Sequence, residues 1–377
     1  MAESAVEHAP AKKRSWYLES PWPEALLMVA VLIACYIALA FVSFGAETPP
    51  GGMTGGRIFM CLFGFFFLSF VIALVAVVAG IGGGVLFTPI LLAFTSLDSI
   101  IVRATGLVVA MFSGLISTGP FMKGGLANLR ICVFCAAAYG VGAFTGAQGA
   151  LYVAKYLGAT GEGLVRLALG GLLICLAVFF IVGGKKIEWP EVKKIDGFTK
   201  KLKLGLPYFE QSLGKVMHYP LTRAWQTLIA IVGVGLLSGF FGLGAGWAIV
   251  PVQNLIMCVP LKVAAANSGV LLGMGDCIAV WPYLLVGAII PLFAAPWLVG
   301  QVLGGLVGAQ ILMKIKAGFV RLILIGIMFF TSFGLVCKGL NLLGVIGKVP
   351  VALNGAVFIG IMIIVVRGVI KQIKSGG

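Results

Sequence analysis

Long apolar runs alternate with short polar interruptions along the chain, and nearly every run is long enough to cross a bilayer. Covering ~30 Å of hydrocarbon takes ~20 apolar residues in a helix. The first run opens at Pro21-Trp22-Pro23 and ends near Phe44. It is too long for the apolar region of a signal peptide and reads as an uncleaved first span. After a turn segment rich in glycine and proline come an interrupted segment, 58–97, and spans near 100–121, 129–153 and 164–182. A polar insert separates these from a second interrupted segment, 224–259, and spans near 263–286, 288–313 and 319–336. A last helix runs from about Pro350 to Val366.

Glycine breaks both interrupted segments. The first carries Gly80-Ile81-Gly82-Gly83-Gly84, ending at Pro89. The second carries Gly242-Leu243-Gly244-Ala245-Gly246, ending at Pro251, so three glycines and the proline recur at an offset of 162. The same offset relates Ala104-Thr105 to Ala266-Asn267, Gly142 to Gly304 and Ala147-Gln148 to Ala309-Gln310. Val165-Arg166-Leu167 answers Val320-Arg321-Leu322 at 155. The chain is a duplication. It divides into residues 1–57 (N-terminus, extra first span, outer loop), a first transmembrane repeat 58–183, a basic insert 184–223, a second repeat 224–337, and a final helix with a basic C-terminus 338–377.

Composition sharpens the class: 60% of residues are hydrophobic and 10% charged, with mean hydropathy +1.12, against ~25% charged in soluble domains. The net charge of +15 does not indicate nucleic-acid binding, because the basic residues sit at segment ends and in the insert, where they orient a membrane protein. The N-terminus (Lys12, Lys13, Arg14), the insert and the C-terminus (Arg367, Lys371, Lys374) are all basic and belong in the cytoplasm. One span precedes the first repeat, which has three ordinary spans, so its interrupted segment must cross an even number of times. The expected fold is therefore an all-α polytopic membrane protein of two inverted-topology repeats. Each repeat holds a glycine-broken helix, re-entrant or double, and an extra helix lies at either end.

Irregular backbone survives at membrane depth only against protein or a water-filled cavity. A helix starting at Gly82-Gly83-Gly84, and another at Gly244 and Gly246, would present free N–H groups to an anion at mid-membrane. Thr105 and Ser113, with Asn267 and Ser268 in the second half, are the next substrate-binding candidates, followed by the partners Gln148 and Gln310. Helix–helix hydrogen bonding is the competing reading for each. Asp276 is the one acid well inside a span of the repeats; its partner position is Gly114. An intramembrane carboxylate is costly and marks a functional site, here a proton carrier coupled to substrate. Arg166 and Arg321 begin spans and are expected to snorkel.

The Gly-x-Gly-Gly-Gly…Pro stretch of residues 80–89, its echo at 242–251, and Thr105 with Asn267 resemble the TauE/SafE family of sulfite exporters, over roughly residues 62–337. The resemblance implies secondary transport of a small sulfur-containing oxyanion, such as sulfite or an organosulfonate, across the cytoplasmic membrane. No enzyme activity, cofactor or metal is expected. The chain differs from the compact family pattern in its first span, insert and last helix. The particular anion, direction of transport, coupling ion (protons or another) and oligomeric state stay open. The alternative is an anion channel or a permease for sulfate, thiosulfate or a carboxylate. Two other readings are weaker. An intramembrane serine hydrolase at Ser113 lacks a base, since His8 and His218 lie in polar segments. A redox role for Cys132-Val133-Phe134-Cys135 has no counterpart at Ala294 and Trp297.

Overall fold

The computed structural model describes residues 54–347 apart from 79–82, 96, 124, 183–189, 191, 193–194, 211–214 and 313–316, together with scattered helical positions in 26–41 and at 357 and 360. Gly82 and the basic residues of both termini lie outside the described residues.

Among residues 54–347 the described helices run in order: α1 (Gly55–Val78), α2 (Gly84–Phe94), α3 (Ser99–Lys123), α4 (Leu129–Val182), α5 (Gly197–Leu202), α6 (Ala224–Phe241), α7 (Gly246–Pro251), α8 (Leu261–Leu285), α9 (Pro291–Leu312) and α10 (Ala317–Leu342). One short antiparallel hairpin, β1 (Tyr208–Glu210) with β2 (Lys215–Met217), lies in the insert. Among the described residues, five helices are long and apolar enough to cross a membrane, and the chain is a multi-pass helical membrane protein. The two expected spans 129–153 and 164–182 form the single element α4. Gly158 (φ 50°, ψ −133°) breaks it into 129–157 and 159–182 without a loop.

Glycine governs how these helices approach, because small residues let backbones touch where no hydrophobic force draws helices together. On α4, Gly142 sits against the Val232 carbonyl of α6 so closely that a Cβ would overlap it. On α9, Gly304 sits in the same way against the Phe70 carbonyl of α1. Helices α3 and α8 cross in opposite senses. A Cβ on Gly269 would lie 2.8 Å from Ser117 Oγ, and one on Gly273 would lie 2.9 Å from Leu115. The aromatic core couples α1, α2 and α9: Trp297 packs 5.2 Å from Phe65 and 4.6 Å from Phe87, and its carbonyl accepts from Ser69 Oγ at 2.5 Å.

The insert docks at the end of the bundle where α4, α6 and α8 begin. Asp196 caps α5 and accepts from the Arg223 N–H at 2.7 Å, while Thr199 Oγ1 accepts from the Ala224 N–H at 3.0 Å. Asn128, just before α4, donates to the Leu204 carbonyl (2.9 Å) and to the Tyr219 hydroxyl (2.8 Å).

Candidate functional site

Helix α6 ends at Phe241, and the chain turns through Gly242 (φ 69°) and Gly244 (φ 68°) before α7 starts at Gly246. Left-handed backbone of this kind is readily adopted by glycine and is strained for other residues. Pro251 then ends α7 in a π turn, Val252–Ile256, since proline has no N–H to give the helix ladder. In the first half α2 starts at Gly84 and Pro89 lies inside it. The same sequence signal thus gives an ordinary helix in one half and a short helix running into a π turn in the other.

The two interrupted regions meet on α3. A Cβ on Gly84 would lie 2.5 Å from the Leu243 carbonyl and 2.8 Å from the Ala110 Cβ, and Gly244 also packs on Ala110. Thr88 Oγ1 of α2 donates to the Gly242 carbonyl at 2.5 Å. Gly106 of α3 is wedged between those two groups, and Gly242 rests against the backbone of Arg103. The sequence candidates Gly83, Gly84, Thr105, Ser113, Gly244 and Gly246 are all buried in this region. The Gly83 N–H approaches Ser113 Oγ at 3.4 Å. The Thr105 hydroxyl, fully buried, has no hydrogen-bond partner among the described residues.

A side chain from the other half of the chain lies near each interruption. Gln301 of α9 is fully buried against Gly83, and neither atom of its carboxamide has a partner among the described residues. Tyr139 of α4 is fully buried and donates to Asp276 Oδ1, which also accepts from Ser238 Oγ at 3.3 Å. Asp276 Oδ2 has no partner among the described residues, and a Cβ on Gly244 would lie 3.3 Å from it. Sequence reasoning missed Tyr139 and Gln301. The signal was present, because they are polar residues in apolar spans and 139 plus 162 is 301.

Other candidates lie elsewhere. The Asn267 carboxamide accepts from the Asn128 N–H at 2.7 Å and donates to Gln253 Oε1 at 3.0 Å, near the insert. Ser268 Oγ donates to the Ala265 carbonyl of its own helix at 2.8 Å. Gln148 is exposed on α4, and the Gln310 side chain lies outside the described residues. Arg166 is buried rather than extended to the surface; the Arg321 side chain is outside the described residues.

The apolar helices make this a multi-pass helical membrane protein, and its relatives make it a membrane transporter. The sequence pattern of the family described as sulfite exporter TauE/SafE matches residues 65–335, and the chain belongs to that family. The chain is 24% identical over 280 residues to the probable membrane transporter protein YunE of Bacillus subtilis (strain 168), an overlap covering 72% of this chain and 96% of YunE. No solved structure matches it.

Proposed function

We propose that the protein is a secondary transporter for a small sulfur-containing oxyanion, sulfite or an organosulfonate, in the cytoplasmic membrane, with both termini and the insert cytoplasmic. The anion binds where α2 starts, held by the Gly83 backbone, Ser113 and the carboxamide of Gln301, it passes Thr105 about two turns along α3 on its way, and the halves move about that point. The observation that carries this reading is Gln301. A fully buried carboxamide with both ends unpartnered is costly, and it stands beside a helix start that favours negative charge.

Inverted repeats underlie the proposed motion. The repeat partners α3 and α8 are antiparallel where they touch, and a two-fold axis relating antiparallel helices runs perpendicular to both, hence in the membrane plane. The contacts Gly142–Val232 and Gly304–Phe70 exchange under the 162-residue offset, as a two-fold requires. The interruptions are packed on Ala110 with no room for a ligand beside Gly84 or Gly244, so binding requires the halves to separate on one side at a time. Asp276, hydrogen-bonded to Tyr139, carries the coupling proton. Without its proton it would set a second negative charge near the substrate.

The test is flux in liposomes holding the purified full chain, comparing sulfite, sulfate, thiosulfate and a short sulfonate. Accumulation of sulfite or the sulfonate against its gradient under an imposed pH gradient supports the proposal. Dissipative flux alone identifies a channel, and a preference for sulfate moves the substrate class.

A further inference from the structure

The geometry points to a second oxyanion site, an access site at the end of the bundle opposite the insert, in which the Glu162 carboxylate occupies the seat of the arriving anion. The inference rests on the transport reading above for its direction toward the interior.

The end of the bundle is fixed by α6, which begins beside Thr199 of the insert and reaches Phe240 at the other extreme. There Arg103 of α3, Arg166 of α4 and Lys338 of α10 converge. Arg166 Nη1 bonds Glu162 Oε2 at 2.7 Å. Ser99 Oγ donates to Glu162 Oε1 at 3.0 Å and accepts from Arg103 Nη2 at 3.4 Å. The second arm of Arg103 donates to the Phe240 carbonyl at 3.4 Å, its guanidinium lies 5.9 Å from the Phe240 ring centroid, and Lys338 Nζ donates to the Thr95 carbonyl.

The cluster is short of negative charge. Three cations meet one ion-paired carboxylate, that of Glu162. Asp98, the other acid nearby, is exposed and already accepts the Ile100 and Ile101 N–H groups at 2.7 and 3.3 Å. Arg103 and Arg166 are 2% and 3% exposed, so neither snorkels into water, and the Nε of each is buried without an acceptor among the described residues. Buried cations without full pairing are costly and attract an anion. A guanidinium fork suits an oxyanion better than a spherical halide.

Glu162 is the member in touch with solvent, its side chain 28% exposed. At the inner edge of the cluster, Arg103 carries the backbone on which Gly242 rests. The charged groups therefore run from the surface to the interruption between α6 and α7. An oxyanion entering here displaces the tethered carboxylate from Arg166 and Ser99, and Arg103 passes it inward.

Thermal unfolding of the purified full chain tests the site apart from transport, with sulfite or sulfate titrated against chloride at constant ionic strength. The oxyanions are expected to raise the unfolding temperature and chloride is not. Glu162→Gln lowers the half-saturating concentration about fivefold and Arg166→Gln raises it by a similar factor, the scale of a partly exposed charge pair. An unchanged midpoint in Glu162→Gln, or equal stabilisation by chloride, overturns the site. Should Glu162→Gln fail to fold, Glu162→Asp decides in the same way, since it keeps the charge but withdraws the carboxylate from Arg166. Oxyanion stabilisation that shifts in Glu162→Gln and Arg166→Gln, without sulfite flux in liposomes, sinks the transport reading and upholds the site; flux without those shifts does the reverse.

Discussion

Gln301 of α9 lies so close to Gly83 that one methyl group on the glycine would overlap its carboxamide. Gly83→Ala therefore pushes Gln301 off the start of α2, an overpacking that costs about 1–3 kcal/mol. Sulfite flux in liposomes is expected to fall about tenfold or more, and further in Gly83→Val. The double variant Gly83→Ala/Gln301→Ala should regain thermal stability but not flux. Recovery of both would show that Gln301 only fills space.

Thr105 and Asn267 are partners in the repeat, yet their surroundings predict opposite outcomes. Asn267→Ala leaves the Asn128 N–H and Gln253 Oε1 without partners, a loss of about 1–3 kcal/mol. Denaturation should show that loss, and flux should fall with an unchanged KM. Thr105→Val keeps shape and removes a hydroxyl that has no partner among the described residues. It should unfold no earlier than the wild type while KM for the anion rises. A destabilised Thr105→Val would place that hydroxyl in a structural bond instead.

Arithmetic on the sequence picked out much of the candidate site. The 162 offset identified both interruptions, and a lone acid in an apolar run pointed to Asp276. The offset carries no information about which face of a helix looks inward, so Gln148 was a candidate although it is exposed on α4. Nor does it show what a neighbouring helix brings. Gln301 reaches Gly83 only because Gly300 and Gly304 let α9 lie on α1. Asn267 matched Thr105 by position, but its partners belong to the insert-side loop and the π turn, which have no equivalent in the first half. The bend at Gly158 was hidden because a single glycine between two helical runs looks like any other glycine in a chain that has many.

The insert carries its own pH response. Hydrogen bonds from Thr199 Oγ1 and N–H, at 2.7 and 3.0 Å, hold the Asp196 carboxyl down at about 2, against ~3.9 in an unfolded chain. A depressed pKa stabilises the fold above the unfolded value, and the contribution is lost as pH falls from about 4 to 2. Asp196→Ala should loosen residues 196–203 at neutral pH, seen as faster amide hydrogen exchange. The wild type should reach the same state only on acidification through that window.

The Cys132 and Cys135 thiols are free and buried on α4, and Cys132 Sγ faces the Asn267 carbonyl at 3.8 Å. Neither is placed to exchange with a soluble partner. Cys132→Ser should retain wild-type flux under oxidising and reducing conditions alike. Loss of flux only in the presence of an oxidant would restore a redox role.

Asp276 is the sharpest test of coupling, because its two oxygens have different surroundings. Oδ1 is held by Tyr139 and Ser238, and Oδ2 is unpartnered beside Gly244. Asp276→Asn preserves volume and an acceptor for Tyr139, so the fold should survive and thermal unfolding should stay close to wild type. What it removes is the proton that comes and goes. Counterflow of sulfite between equal pools should persist, while accumulation driven by an imposed pH gradient disappears and the flux becomes insensitive to pH. Tyr139→Phe takes one donor from Oδ1 and leaves the carboxylate in place. That variant should stay coupled but respond at a displaced pH. If Asp276→Asn accumulates sulfite as the wild type does, Asp276 is a structural acid and the coupling ion binds elsewhere.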